Sequence, residues 1–565
     1  MKPFVVCVIY LCCVILLVNA KEIHDVSHTA SPYRDQGRPQ FHLRPPQNWI
    51  NDPNGPLYYK GVYHLFYQYN PYGSLFNQTI VWAHSASYDL VNWIHLKHAL
   101  VPSKPFDMKS CWSGSATILP GNYPVILYTG LNINSQQVQN LAMPKNLSDP
   151  FLQEWVKYHG NPLMTPPPGV DPDDFRDPTT AWRGRDGIWR VVVGGLRNKI
   201  GVAILYKSKN FIHWSLHHAP LYSGNENAGI WECPDFFPVS VNGREGIENS
   251  ENGTNLKYVL KVSFIFNTND YYMIGSYDAD KEKFVPDKIG LTGTHPDLRY
   301  DYGKFYASKS FYDSGKKRRI LWGWINESDS SANDIKKGWA GIQSIPRQVY
   351  HSPTGTQLLQ WPVKEIESLR DTHVTYTGKI VKSKSLFEVK GITASQADID
   401  ISFKMPKLDD AEIFNPKWND PELLCRTKPA TVSGQNGPFG LLLMASQDLT
   451  EHTAVFFRVF KNNQQFVVLM CSDQRRSSHT QEVDRTIYGA FIHMDHKDEM
   501  ISLRSLVDHS VIESFGAEGR ACITARVYPQ FSSGKEAHVY AFNNGSADLF
   551  VSTLNAWSMK KSKGN

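Results

Sequence analysis

The chain has 565 residues, 20% of them charged and 41% hydrophobic, with a formal net charge of +5 and a sequence pI near 8.5. That length exceeds one ordinary core, so two domains are expected. The dense basic run Lys316-Lys317-Arg318-Arg319 follows Ser314-Gly315 between strand-like segments, so a solvated turn and no nucleic-acid partner are expected there.

In chain order, residues 1–20 come first. Lys2 precedes an apolar run from Phe4 to Val18, and Val18-Asn19-Ala20 supplies small residues for cleavage. This is the layout of a secretory signal, too short for a membrane span, and no later segment resembles a span. A soluble, exported monomer is expected. Cys7, Cys12 and Cys13 leave with the signal; Cys111, Cys233, Cys425, Cys471 and Cys522 remain. One disulfide, Cys425 with Cys471, is expected in an oxidising compartment. Five N-x-[ST] sequons, at Asn77, Asn146, Asn252, Asn326 and Asn544, agree with a glycosylating pathway. The basic charge suits ionic retention on an acidic polysaccharide matrix.

From 33 to 360, short aromatic and β-branched runs alternate with Gly, Pro, Asn and Asp clusters, which indicates an all-β fold. One unit recurs: a polar or acidic motif, an apolar strand, a glycine-centred turn and a second apolar strand. It occurs at "NDPNGPLYYKGVYHLFYQ", "WSGSATILPGNYPVILYTG" and "RDPTTAWRGRDGIWRVVVGG", and more loosely at "WECPDFFPVSVNG" and "DYGKFYASKSFYDSGKKRRILWGW". Asp52, Ser113, Asp177, Glu232 and Asp301 mark the units at separations of 61, 64, 55 and 69 residues. "SYDLVNW" and "SKNFIHW" echo each other 121 residues apart, about two units. Five such units predict a five-bladed β-propeller. Residues 361–372 form a predicted linker, and the alternating strands of 373–560 predict a C-terminal β-sandwich without chemistry of its own. His509 and Glu513 within it are expected to be structural.

Asp52 sits in a D-P-N-G sequence, where a turn is the ordinary role. A propeller changes that expectation, because the first strands of all blades converge on one axis. Three equivalent positions then carry Asp52, Asp177 and Glu232, and crowding three acids in a poorly hydrated funnel costs energy that turns do not require. Paired carboxylates across a pocket are the equipment of glycoside hydrolysis. The apolar neighbours of Glu232 should raise its pKa and suit a general acid. The amides around Asp52, and Arg176 beside Asp177, should favour the charged forms. Trp49, Trp82 and Trp112 are candidate sugar-facing walls. Metal-ligand spacings and phosphate-binding glycine loops are missing from the sequence, so no metal and no cofactor is expected.

The motifs "NWINDPNGPLYYKGVYHLFYQYNP", "CWSGSAT", "FRDP", "WECPDF", "LRYDYGKFYAS" and "GWAGIQSIPR" resemble those of plant acid invertases and fructan exohydrolases, members of glycoside hydrolase family 32. The resemblance runs from about Tyr33 to Trp557 and implies a five-bladed propeller followed by a β-sandwich. It implies Asp52 as nucleophile, Glu232 as acid/base and Asp177 as transition-state stabiliser in a retaining double displacement. It also implies that Trp49, Asn51, Gln68, Trp112, Ser113 and Arg176 line the fructose pocket. Pro234, after Cys233, is the form typical of the cell-wall branch, which implies an apoplastic location.

Two departures bear on the substrate. Where invertases of that branch carry an acid and a lysine in a stretch resembling "SLDDTKHDYY", this chain has "SFIFNTNDYY", with Ile265 and Thr268 at those places. The invertase tryptophan near the glucosyl unit of sucrose is Phe76 here. Losing a charge-assisted hydrogen bond is worth about 1.5–3 kcal/mol, so a fructan exohydrolase acting on β-2,1 or β-2,6 chains is expected. The alternatives are a cell-wall invertase hydrolysing sucrose, a fructosyltransferase and a catalytically silent carbohydrate-binding protein.

Overall fold

The computed structural model describes residues 37–226, 229–288, 291, 297–480 and 482–564. The expected signal, 1–20, and the expected propeller start at 33 lie outside the described residues. Five sheets succeed one another around an axis, followed by two sheets packed face to face. The innermost strands of the five blades are Asn48–Tyr59, Ser110–Leu119, Val170–Arg176, Trp231–Ser240 and Tyr306–Asp313. The fifth blade closes on the first through Trp339–Ala340, which pairs in parallel with Asn48 and Trp49.

One irregularity repeats and places the polar residues. Four inner strands break register within their first half: between Ile50 and Pro53, Cys111 and Gly114, Glu232 and Asp235, and Tyr306 and Lys309. An extra residue on one strand interrupts the in-out alternation of side chains and re-aims them. The third blade reaches the same result differently: its inner strand ends at Arg176, and Asp177 adopts a left-handed φ of 66°. Blades also approach closely here. A Cβ on Gly194 of the third blade would lie 2.1 Å from the Trp231 carbonyl oxygen of the fourth, so only glycine fits.

The two echoed segments occupy the same place in their blades. Asp89 accepts from the amides of Val91 and Asn92, and Asn210 accepts from those of Ile212 and His213. Leu90 and Phe211 both turn left-handed, at 64° and 65°. The fifth marker needs correction. Asp301 does not begin an inner strand; it lies five residues before Tyr306, fully buried and bonded to Arg347 and Thr524. The fifth unit enters the funnel at Tyr306.

The stretch 361–372 comprises the end of strand Leu358–Pro362, a 3-10 turn at Lys364–Leu369 and the first residues of strand Arg370–Val381. The sandwich pairs a six-stranded sheet with a seven-stranded one over a core including Ile399, Ile401, Leu441, Val455, Val468 and Ile512. Around His509 two strands, Met500–Asp508 and Val511–Gly516, meet at a turn in which His509 has a φ of 56°. A disulfide joins Cys425, in helix Pro421–Thr427, to Cys471 of the seven-stranded sheet. No helix among the described residues is long and apolar enough to cross a membrane.

Candidate active site

The bulges, and the left-handed turn at Asp177, bring Asp52, Asp177 and Glu232 to one end of the axis. Asp52 Oδ1 accepts from the Asn51 amide at 3.0 Å, and Oδ2 accepts from the Ser113 hydroxyl at 2.6 Å. The Asp177 amide N–H donates to Thr129 Oγ1 at 2.8 Å, and Asp177 Oδ2 accepts from the Cys233 N–H at 2.8 Å. The Cys233 thiol stands between the two aspartates, 3.4 Å from Asp52 Oδ2 and 3.5 Å from Asp177 Oδ2. Glu232 Oε1 receives the Arg176 guanidinium, at 3.1 Å from Nε and 2.7 Å from Nη2, while Oε2 receives the Tyr306 hydroxyl.

One expectation is reversed: Glu232 is not in an apolar setting, because Arg176 and Tyr306 occupy both its oxygens. Arg176 hydrogen-bonds to Glu232 and acts on Asp177 through its charge, while its Nη1 is anchored by Gln137 and the Asp173 carbonyl. The carboxyl pushed upward is Asp52, to about 6, by burial first and then by the charges of Asp177 and Glu232, against its bonds to Ser113 and Asn51.

The other expected residues divide. Trp49 is half-buried, its indole N–H donates to Asn51 Oδ1 at 3.0 Å, and its ring meets Trp324 and Phe76 edge-on at 5.5 and 6.2 Å. Trp112 is half-buried, and its carbonyl accepts from the Trp82 indole. Trp82 is wholly buried, so it is core and not a sugar-facing wall. Gln68 is buried, with its amide on the Cys111 carbonyl at 3.3 Å. Phe76, Ile265 and Phe266 are 56%, 52% and 56% exposed, and Thr268 is exposed.

Thr268, Tyr306 and Trp324 border a cavity of about 350 Å³ whose far side is built by Glu422, Asp484 and Tyr488 of the sandwich. Asn326 lines the same cavity. Asn77 and Asn146 are exposed, whereas the Asn252 and Asn544 amides donate to the carbonyls of Ser250 and Ala430. No cluster of three or more metal-ligating side chains occurs among the described residues.

Cys233 and Tyr306 were not expected in the site. The signal for Tyr306 was the fifth unit itself, had its start been placed at the strand and not at Asp301.

Family models match nearly the whole described chain: the glycosyl hydrolases family 32 N-terminal domain over residues 42–362 and its C-terminal domain over 365–558. The chain is 51% identical over 549 residues to a β-fructofuranosidase of Arabidopsis thaliana, insoluble isoenzyme CWINV3, covering 95% of this chain and 92% of the relative. It is 51% identical over 546 residues to the fructan 6-exohydrolase of Beta vulgaris, covering 96% and 89%. The crystal structure of fructan 1-exohydrolase IIa from Cichorium intybus superposes with a TM-score of 0.91 at 54% identity, over 93% of this chain and 98% of that one.

Proposed function

Since the chain belongs to glycosyl hydrolase family 32, as a β-fructofuranosidase-type member, we propose that it is a secreted, cell-wall fructan exohydrolase. It removes terminal fructose from β-2,1 or β-2,6 chains by a retaining double displacement. Ionised Asp52 attacks the anomeric carbon, with Ser113 and Asn51 holding its two oxygens in line. Glu232 protonates the departing oxygen and then takes a proton from water. The Tyr306 hydroxyl donates to Oε2 and favours the ionised form that takes the proton from water. Among the described residues Asp177 is held through Oδ2, and Oδ1 is the oxygen for gripping sugar hydroxyls and the positive charge of the transition state.

The observation that carries the fructan reading is the aglycone side. Ile265, Thr268 and Phe76 are exposed where a sucrose-cleaving relative would present an acid, a lysine and a tryptophan. Without charge-assisted bonds to a glucosyl unit, sucrose loses roughly ten- to a hundredfold in discrimination. The adjoining cavity of about 350 Å³ offers room for a longer aglycone. Sucrose hydrolysis is the second reading, favoured by the comparable identity to insoluble β-fructofuranosidases.

The test is sugar release by the purified, glycosylated protein from sucrose, a short inulin and a short levan. Fructose from the fructans with little glucose from sucrose supports the proposal. Rapid, equal release of glucose and fructose from sucrose overturns it in favour of the invertase.

A further inference from the structure

The bulges that aim Glu232 and Tyr306 are held by one buried ion pair. Cys233, next to Glu232, and Ala307, next to Tyr306, have left-handed φ values of 44° and 54°. A residue with a side chain keeps that conformation only where its surroundings hold it there. A bulge also leaves backbone groups without ladder partners, and buried ones need others. Lys261 and Asp270 supply them. They stand on the second and third strands of the fourth blade, Leu256–Phe264 and Asn269–Asp278, and both are fully buried.

Lys261 Nζ lies 3.2 Å from Asp270 Oδ2. It donates to the Cys233 carbonyl at 3.1 Å and to the Ser308 carbonyl at 2.8 Å. Asp270 accepts from the N–H groups of Ala307 at 3.2 Å and Ser308 at 2.8 Å. Ser263 completes the unit: its hydroxyl donates to Asp270 Oδ1 at 2.6 Å and accepts from Lys261 Nζ at 2.8 Å. Ser263 is also the ladder partner of Glu232. One pair thus ties the fourth bulge to the fifth, beside the two residues that make the Tyr306–Glu232 contact.

The first three inner strands are held more simply, each from the preceding blade around the ring. Gln343 donates to the Asn51 carbonyl at 2.7 Å, Gln68 to that of Cys111 at 3.3 Å and Gln139 to that of Phe175 at 2.9 Å. There a neutral amide reaches one carbonyl; Lys261 with Asp270 reaches two carbonyls and two N–H groups across two blades. Lys309 and Asp235 act farther along the same strands, at Pro234 and Ser310. We propose that the Lys261–Asp270 pair is a positioning clamp for the acid/base, fixing Glu232 against Tyr306 so that its carboxyl meets the leaving-group oxygen. The inference rests on the acid/base reading of Glu232 above.

The test uses leaving groups. A general acid matters for a fructan, whose departing oxygen must be protonated, and little for a β-fructofuranoside whose leaving group departs unaided. kcat/KM for both substrates would be measured on the folded native chain, Asp270→Asn and Ser263→Ala, with Glu232→Gln as reference. Asp270→Asn keeps the shape and one acceptor and loses the charge; Ser263→Ala removes only the hydroxyl that links the pair. For the fructan, kcat/KM is expected to fall about 10- to 100-fold in Asp270→Asn and about 3- to 10-fold in Ser263→Ala, against less than about threefold for the activated substrate. That selective loss in Asp270→Asn, or in Ser263→Ala where Asp270→Asn does not fold, supports the clamp. Equal losses on both substrates would make the pair a support of the fold alone and overturn the proposal. So would native values in Asp270→Asn, or native values in Ser263→Ala when Asp270→Asn cannot be recovered folded. Glu232→Gln separates the two readings. Equal losses on both substrates in it refute the acid/base assignment, whereas a selective Glu232→Gln beside an unselective Asp270→Asn refutes only the clamp.

Discussion

The funnel and the seam between propeller and sandwich both bury several carboxylates, and they treat them in opposite ways. At the seam Asp508, Glu513, Asp301 and Glu327 are each matched by a cationic side chain. Asp508 accepts three backbone amides, from Gln40, Phe41 and His42, and pairs with the His42 ring at 2.9 Å. The other nitrogen of that ring meets Glu513 at 3.0 Å, and Arg347 links Glu513 to Asp301. Glu327 is held by Arg526, Lys337 and Tyr528. Hydrogen bonds and cations outweigh burial there and push Asp508, Glu513 and Glu327 below the usual carboxylate range. In the funnel Arg176 is engaged by Glu232, and Asp52 is pushed up to about 6. Compensated charge fastens two domains; uncompensated charge leaves a carboxylate whose ionisation and bonding are available to a substrate.

The largest expected effect is in the funnel. Asp52→Ala should lower kcat for fructose release by about 10⁴-fold, and Glu232→Gln by about 10²- to 10⁴-fold, in steady-state assays on folded protein. The mirror experiment is at the seam. Arg347→Met leaves Asp301 buried without its cation and Glu513 with the His42 ring as its remaining partner, and should cost about 3–5 kcal/mol in chemical denaturation. Turnover per folded molecule should stay near native; an equal loss of turnover would erase the distinction between the two regions.

The smallest effect tests the sign. Asp52 has a folded pKa near 6 against an ordinary 3.8, so its ionised form opposes folding. The penalty is absent below about pH 4 and complete above about pH 6. Asp52→Asn should therefore stabilise the protein at pH 7, on the order of 1–2 kcal/mol after allowing for solvent reach, and the gain should vanish as the pH falls toward 4. The seam acids behave in the opposite sense: their stabilisation is present above the ordinary carboxylate range and is lost as pH falls through their depressed values. Melting curves from pH 4 to 8 show whether the gain has this slope.

The repeating units and the three acids were legible because each inner strand carries its polar motif at one end, and that periodicity is local in sequence. The partners of the acids were not. Arg176 precedes Asp177 but reaches across to Glu232, because the left-handed turn at Asp177 sends the neighbouring side chains in different directions. Tyr306 is 74 residues from Glu232 and meets it only when the fourth and fifth blades pack side by side. Trp82 reads like a sugar platform beside Trp112, yet it belongs to the packing between blades; a single tryptophan carries no mark of which side it faces. Asp301 looked like a fifth marker because its spacing fits, although its partners, Arg347 and Thr524, lie at the seam. The seam itself was invisible: His42 and Glu513 are 471 residues apart.

The most direct test of the funnel's chemistry is to trap its intermediate. Glu232→Gln would be mixed with a β-fructofuranoside whose leaving group departs without protonation, quenched in acid and digested, and its peptides weighed. Asp52 as nucleophile predicts a mass gain of one anhydrohexose unit on the peptide containing Asp52, accumulating because the water-activating base is gone. An adduct on any other residue, or rapid turnover of that substrate with no adduct, would contradict the account.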